Sequence, residues 1–576
     1  MPRGERAGDQ AQRACYDGLR RVMAGASIAQ TAAATVFKRR RQPRHYALRH
    51  YNRAMPSIIL ATLNARYTHA SLGLRYLLAN MGALKGDTRL QEFTIRRPPR
   101  EIADALLALQ PRVIGFGVYI WNVTQTCAVI ELLKAEQPGI VIVLGGPEVS
   151  FETHGQPICA LADYIVTGWG DVTFPKLCAQ LLDGPQPLMK IHPGEQPPLD
   201  TLTLPYREFT DEDIRQRTLY VEASRGCPFK CEFCLSALDK TAWPFNTQGF
   251  LAALESLYAR GARRFKFVDR TFNLNVKTSL AILEFFQQKI DAAPLDPCFA
   301  HFELVPDHLP ETLKAAIARF PAGTLQFEIG IQTFSTEVQQ RISRRQDNAK
   351  AAANLTWLRT HSQAHLHVDL IAGLPGEDLA SFAQGFDQLH TLRPHEIQLG
   401  ILKRLRGTPI IRHTGAFGMR YHPAPPYKVL ATSAISAADM QRIERFARYW
   451  NLVANSGRFG RTLLLLLGAD ATGSAFARFM AFADWLYAHT GQTHQFALEH
   501  LFDLAHRYLV ETLVLSRSDV ETALRHDFAL SGASGRLAFM DKGIASGSRR
   551  NLAMTLTRQG QHLHARAGQQ TGGVEA

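Results

Sequence analysis

The chain has 576 residues, a formal charge of +14 and 46% hydrophobic residues. That length holds roughly two to four domains with buried cores, and the composition is that of an ordinary globular protein rather than a peptide or a repeat array. The densest apolar run, Leu463 to Leu467, falls far short of the ~20 residues that span a bilayer, so no membrane span is expected.

The charge is lopsided. Residues 1–54 hold twelve Lys or Arg and three Asp or Glu, a net +9, which leaves +5 for residues 55–576. The basic stretch ends in Lys38-Arg-Arg-Arg41 and is followed by Met55, where strand-like pattern begins. It is read as a disordered or mis-annotated extension. A targeting presequence, Arg- and Ala-rich and poor in acids, and a nucleic-acid arm are its rivals. Eight cysteines in a chain of this size suit a reducing cytoplasm. With the extension removed no basic module for RNA remains, so nucleic acid is not an expected partner.

Taken in chain order, Ser57–Ala61 reads as a strand, Leu72–Leu84 and Glu101–Leu109 as helices, and Val113–Val118 as a strand. Helix Thr124–Gln137, strand Ile140–Leu144, helix Pro157–Leu161 and strand Tyr164–Val166 follow. Strands alternating with helices imply right-handed crossovers and a parallel sheet, with ligands at the strands' C-terminal ends. Glycines stand at two of those ends, in Gly145-Gly146-Pro147-Glu148 and in Gly168-Trp-Gly-Asp171.

A second set of strands begins with Leu219–Ala223 and continues at Phe265–Asp269, Phe299–Glu303, Leu325–Gly330, His365–Asp369 and Ile397–Gly400. Helical stretches such as Thr247–Arg260, Val276–Ala292 and Ala349–Leu358 lie between them. Six strand–helix units make an open, partial barrel with polar residues at its mouth. From Arg442 to Trp450, Ser474 to Thr490 and Gln495 to Ser516 the pattern is amphipathic and predicts an all-α region. The stripe Phe446, Tyr449, Trp450 fits a helical core, and beyond about Gly532 a mobile tail is expected.

The organised cysteines are Cys227, Cys231 and Cys234, in Ser224-Arg-Gly-Cys-Pro-Phe-Lys-Cys-Glu-Phe-Cys-Leu235. Three thiolates at this spacing can hold three irons of a four-iron cluster, and the fourth iron is left open. A zinc knuckle wants a fourth Cys or His nearby; the next cysteine is Cys298, and no His lies before it. A disulfide pairing leaves one thiol over.

The cysteine run and its surroundings resemble the radical S-adenosylmethionine (SAM) superfamily. The resemblance implies a 4Fe-4S cluster whose open iron binds the amino and carboxylate groups of SAM, and one-electron cleavage of SAM to a 5'-deoxyadenosyl radical. It also assigns site residues. Phe233 packs on the adenine and Glu303 accepts from the ribose hydroxyls. Gln332 and Arg345 serve the amino-acid end, with Arg344 an equal rival, and Gly373-Leu-Pro-Gly376 turns beneath the adenine. Relatives often carry two acids where this chain has Asp269-Arg270; Arg270 either turns specificity toward an anion or forms an ion pair.

Ahead of this motif, Asn64-Ala-Arg-Tyr-Thr-His-Ala-Ser-Leu-Gly73 and Leu144-Gly-Gly-Pro-Glu-Val149 resemble the cobalamin-binding domain of one large radical SAM subclass. The resemblance places cobalamin against Thr68, Ala70, Gly73, Gly145, Gly146 and Gly168. Many such domains carry D-x-H-x-x-G; aligned on Gly73, Thr68 takes the Asp place and Ala70 the His place, so no protein His on cobalt is expected. His69, one residue off register, is read as a loop residue. The helical region resembles an uncharacterised module found after some cobalamin-type radical SAM proteins.

The implied architecture is an extension over residues 1–54, a Rossmann-like α/β cobalamin-binding domain over 55–200, a partial (β/α)6 radical SAM domain over 201–425 and an all-α C-terminal domain over 426–576. The implied activity is a cobalamin-dependent radical reaction, with methyl transfer to an unactivated carbon or phosphorus as the leading expectation. Its partners are a reductant such as flavodoxin or ferredoxin and a small-molecule or natural-product-like substrate. Rearrangement, cyclisation or oxidation without methyl transfer is the alternative within this chemistry. A cluster-bearing redox or cobalamin-sensing protein is the alternative outside it.

Overall fold

The computed structural model describes residues 55–239, 241–468 and 473–539. The expectations for residues 1–54 and for the tail past residue 539 lie outside these. Two six-stranded parallel sheets organise the molecule.

The first contains β1 (Ile58–Asn64), β2 (Thr88–Thr94), β3 (Val113–Gly117), β4 (Val141–Gly145), β5 (Tyr164–Thr167) and β6 (Ile191–Pro193), in the order β2-β1-β3-β4-β5-β6. Ile58 to Asn64 are all buried, as a central strand covered on both faces requires. The chain winds one way from β1 to β2 and the other way from β3 onward, so a switch point opens between β1 and β3.

Two elements of this sheet are additions to the sequence reading. Strand β2, Thr-Arg-Leu-Gln-Glu-Phe-Thr, is an edge strand with most positions only half-buried, so its polar pattern carries no apolar run. Strand β6 is three residues long, again at an edge. The predicted helix at 72–84 ends at Ala79 and continues as a 3-10 turn from Gly82, where the backbone takes φ +57°.

The second sheet contains β7 (Leu219–Val221), β10 (Arg264–Phe267), β11 (Phe299–Leu304), β12 (Leu325–Gln332), β13 (His365–Ala372) and β14 (Glu396–Ile401). Each pairs in parallel with its sequence neighbour, and β7 and β14 are the free edges of an open sheet. The burial of β12 alternates strictly: Phe327, Ile329 and Ile331 pack in the core, while Gln326, Glu328, Gly330 and Gln332 face the half-buried side. A short hairpin, β8 (Ser224–Gly226) and β9 (Ala242–Pro244), closes the base of the cysteine loop. Gly226, at φ +88°, has no room for a side chain, since a Cβ would stand 2.3 Å from the Thr241 carbonyl oxygen.

The C-terminal region is helical, with Ala437–Val453, Gly460–Leu467, Ala475–Thr490, Leu498–Arg507 and Arg517–Leu530. Its aromatic stripe is core: Phe446, Tyr449 and Trp450 are buried, and Phe446 stacks on Phe476 with centroids 4.7 Å apart. One apolar core runs without a break from Ala70 through the second sheet to Leu537. Among the described residues no helix is long and apolar enough to cross a membrane.

Candidate active site

Cys227, Cys231 and Cys234 face one cavity of about 260 Å³ at the C-terminal ends of the second sheet. Among the described residues no three His, Cys, Asp or Glu side chains are grouped to hold a single metal ion. The same cavity is lined by Phe233, Arg270, Glu303, Glu328, Gln332, Arg344, Arg345 and Asp369. The tertiary structure thus brings the three thiols together with all five residues that the resemblance assigns to SAM.

The cysteine loop is held from both sides. Glu232, 2% exposed, accepts from Ser343 Oγ at 2.6 Å and contacts His413 Nε2 at 2.8 Å, and it also pairs with Arg412. Its backbone N–H donates to Ile342 O at 3.0 Å, and its carbonyl accepts from Ile410 N at 3.0 Å. At the loop's base Asp269 accepts from the Ala223 N–H at 2.9 Å and from Ser224 Oγ at 2.6 Å. Full burial pushes the Asp269 carboxyl up to about 7, against the pull of those donors.

Burial likewise pushes the Cys227 thiol up to about 11 and raises Cys231. The Arg344 guanidinium, 3.6 Å from Cys231 Sγ, opposes that rise. Thiols give up their protons when they take a metal cluster, so loading releases protons here.

Gln332 ends β12 at φ +69°, a left-handed conformation that costs a non-glycine residue about 1–3 kcal/mol. The sheet register shifts between Gly330 and Gln332, and the side chain folds back over Gly330, where a Cβ would lie 2.2 Å from Nε2. Its Oε1 is buried without a partner. A strained residue presenting an unsatisfied acceptor to the cavity fits a donor such as the SAM ammonium group.

Arg344 also donates to Gly330 O and, at 2.7 Å, to Gln346 Oε1. It is a brace between the cysteine loop and β12. Arg345 is exposed, with no protein partner among the described residues. Glu303 is bound by Arg270 at 2.7 Å, so of the two readings of Arg270 the ion pair is present. Gly373 and Gly376 both have positive φ, +84° and +77°, as the expected tight turn requires.

A second cavity, about 310 Å³, lies at the first sheet. It is lined by Gly73, Gly117, Gly145, Gly146 and Gly168, with Tyr119 and Trp169. At Gly168, φ +69°, a Cβ would meet nothing within 4 Å, so the glycine leaves open space beside the strand end. The glycines keep these loop tips clear of side chains, as the close approach of a planar ring to backbone requires.

Thr68 and Ala70 are not brought to this cavity. The carbonyl of Thr68 accepts from Thr218 N at 3.2 Å, and Ala70 is buried in the core of the second sheet. His69 turns the same way, its Nδ1 2.5 Å from Tyr220 OH. The loop between β1 and the first helix bridges to residue 218, ahead of β7, and that pairing decides where its side chains go.

Several residues of this region lay beyond the sequence reading. Arg225 spans the two halves of the site: it binds Asp171 at 2.8 Å and Glu222 at 2.7 Å, and its guanidinium lies 4.3 Å from the Tyr76 ring centroid. Asp171 belongs to the Gly168-Trp-Gly-Asp171 loop, and Arg225 stands two residues before Cys227. Glu148, of the other glycine loop, is bound by Arg406 at 3.0 Å and by Tyr427 OH at 2.5 Å. The only sequence signal for these pairs was their adjacency to the two motifs.

Family models match three stretches of the chain. The B12 binding domain matches residues 58–178, the Radical SAM superfamily 221–389, and a protein family of unknown function (DUF4080) 415–567. A B12 binding domain followed by a radical SAM domain is the arrangement that the sequence resemblance implied. Among its relatives is the cobalamin-dependent radical SAM methyltransferase TokK of Streptomyces tokunonensis, 25% identical over 53% of this chain and 49% of that protein. The 2-(S-pantetheinyl)-carbapenam-3-carboxylate methyltransferase of Streptantibioticus cattleyicolor is 24% identical over 50% of this chain and 46% of that protein. The chain spans about half the length of the curated relatives it matches.

Of solved structures, the cobalamin-dependent SAM radical enzyme OxsB with aqua-cobalamin is similar at 13% identity and TM-score 0.54, covering 82% of this chain and 84% of that one. The radical SAM methyltransferase TsrM of Kitasatospora setae, with cobalamin and a [4Fe-4S] cluster, is similar at 16% identity and TM-score 0.51, covering 65% of this chain and 82% of that one. At these identities the likeness is one of fold.

Proposed function

We propose that this protein is a cobalamin-dependent radical SAM enzyme that transfers a methyl group to an unactivated carbon or phosphorus of a small molecule. The observation that carries the reading is the shared cavity of Cys227, Cys231 and Cys234 with Glu303, Gln332, Arg344 and Arg345. When bound, the cluster supplies one electron to SAM and cobalamin serves as the methyl carrier. The protein's part is placement.

In this reading the three cysteines hold three irons, and Gln332 Oε1 accepts from the SAM ammonium. Arg345, free of protein acids, faces the SAM carboxylate, while Arg344 holds the thiolate loop against β12. Glu303 presents its carboxyl group to the ribose; burial raises its pKa, and the Arg270 ion pair opposes that rise. Glycines 73, 145, 146 and 168 leave room for cobalamin on the first sheet, with its lower face free of a protein histidine. The reductant is a small electron carrier such as flavodoxin or ferredoxin.

Anaerobic reconstitution with iron, sulfide and cobalamin, followed by dithionite and SAM, tests this reading. Formation of 5'-deoxyadenosine is expected, abolished by Cys231→Ala, with label from methyl-deuterated SAM appearing in the product. No 5'-deoxyadenosine from a cluster-loaded protein would overturn the radical reading. Radical rearrangement without methyl transfer is the alternative outcome of the same assay: 5'-deoxyadenosine formed with no label transferred favours it.

A further inference from the structure

A third cavity, about 970 Å³, opens beside the one holding the cysteines. Phe233, Gln332 and Asp369 line both, so the two adjoin across these side chains. One wall is strand β14 from Gln398 onward with the segment after it. The opposite wall is the C-terminal helix Ala437–Val453, through Gln441, Glu444, Arg445, Arg448 and Asn451. The volume lies at the upper end of small-molecule sites, roughly 300–1,000 Å³. It takes a body much larger than an amino acid.

The charge of the chamber is unbalanced. Its cations are Lys403, Lys428, Arg445 and Arg448, against the acids Asp369 and Glu444. Lys428 is paired with Glu444 at 3.0 Å, and Arg445 lies 3.8 Å from Asp484 and over the Tyr487 ring. Asp369 sits 3.2 Å from His367. Among the described residues Arg448 donates only to the carbonyl of Thr493, and Lys403 has no partner.

Lys403 and Lys428 face one another across an antiparallel bridge. Like charges directly opposite repel, and a single Glu444 compensates only one of the two. Desolvation, and after it the Lys428 charge, lower the Lys403 pKa although the side chain still reaches water in the chamber. The arrangement lacks one negative charge.

We infer that this chamber is the substrate site, and that it takes a substrate bearing a carboxylate or phosphate seated between Lys403 and Arg448, with the C-terminal helical module as its far wall. The inference rests on the enzymatic reading above and deepens it by naming the substrate class. Phe233 and Gln332 then stand at the gate between the SAM cavity and the substrate, where the reacting carbon must be presented.

Binding of simple probes to the reconstituted full-length protein tests this without turnover. Octanoate, octyl phosphate and the neutral octanamide are titrated by calorimetry. Both anions, or one of them, are expected to bind at least tenfold tighter than octanamide, and the tighter anion identifies carboxylate or phosphate. Lys403→Met is expected to remove that preference and Lys403→Arg to keep it; loss in the Met variant places the anion in this chamber and not at Arg345. Should Lys403→Met fail to fold, Arg448→Gln, on an exposed side chain, is expected to weaken anion binding severalfold. Equal binding of octanamide and the anions, or anion preference intact in both variants, overturns the inference. A protein that cleaves SAM yet ignores anions sinks this inference alone; one that prefers anions yet forms no 5'-deoxyadenosine sinks the enzymatic reading alone.

Discussion

Arg225 is the sharpest place to test how the two halves of the site are joined. Its side chain is 14% exposed, and those of its partners Asp171 and Glu222 are 7% and 10% exposed. Arg225→Ala strands both carboxylates, and breaking a buried pair by removing one partner costs about 3–5 kcal/mol. The guanidinium also lies over Tyr76, Trp169 and Phe245 at 4.3, 5.1 and 5.7 Å from their ring centroids; these contacts add about 1–2 kcal/mol. Burial already pushes the Glu222 carboxyl up despite Arg225, so it takes a proton in the variant and trims the penalty. A loss of about 4 kcal/mol remains, about a thousandfold in the local opening equilibrium. Hydrogen exchange of the segment 219–245 and of the loop 168–172 measures it, since a multidomain chain need not unfold in two states. The triple variant Arg225→Met, Asp171→Asn, Glu222→Gln is expected to recover most of the loss, because no buried charge is left unpaired. Protection within tenfold of the parent in Arg225→Ala would refute the joint.

Gln332→Gly is expected to hold or raise stability by up to about 1 kcal/mol, since it removes left-handed strain and a buried unsatisfied acceptor, while 5'-deoxyadenosine formation falls more than tenfold; a stability loss beyond 1 kcal/mol contradicts the orphaned-acceptor reading. For Asp269, whose folded carboxyl sits at about 7 against about 3.9 unfolded, the folded state holds the proton more tightly. Its contribution is therefore complete below pH ~4 and is lost as the pH rises toward 7, about 4 kcal/mol in all. Asp269→Asn is expected to flatten that part of the thermal-midpoint profile between pH 4.5 and 7.5, and an unchanged slope would count against the burial. Glu232→Ala removes the acceptor of Ser343 and His413 from the cysteine loop. A cost of about 1–3 kcal/mol is expected, together with a lower iron content per chain after reconstitution; full iron loading would show that the loop needs no such anchor.

The parts legible in advance were those with local causes. A run of thiols at short spacing needs only its own loop, the apolar run Ile58–Leu60 declares a strand covered on both faces, and the alternation Phe265-Lys266-Phe267 declares one covered on a single face. Strand β2 was invisible for the opposite reason: at an edge, Arg89, Gln91 and Glu92 break up Leu90 and Phe93 so that no apolar run appears. The assignment of Thr68 and Ala70 to the glycine cavity rested on register within one loop. That register is overruled by the parallel bridge between His69 and Thr218, a contact across 149 residues of chain.

The sequence by itself determined the chemistry on offer: three clustered thiols, glycines at strand ends, and polar residues at the mouth of a strand–helix array. Each follows from spacing and side-chain type within a few residues. Only the tertiary structure decided which of these share a cavity, that Arg225 and Glu148 tie the glycine loops to the rest of the site, and that Lys403 meets Lys428 opposite Arg448. Charge balance and pocket shape are sums over residues far apart in the chain, and they exist only once the two sheets and the C-terminal helices have packed against one another.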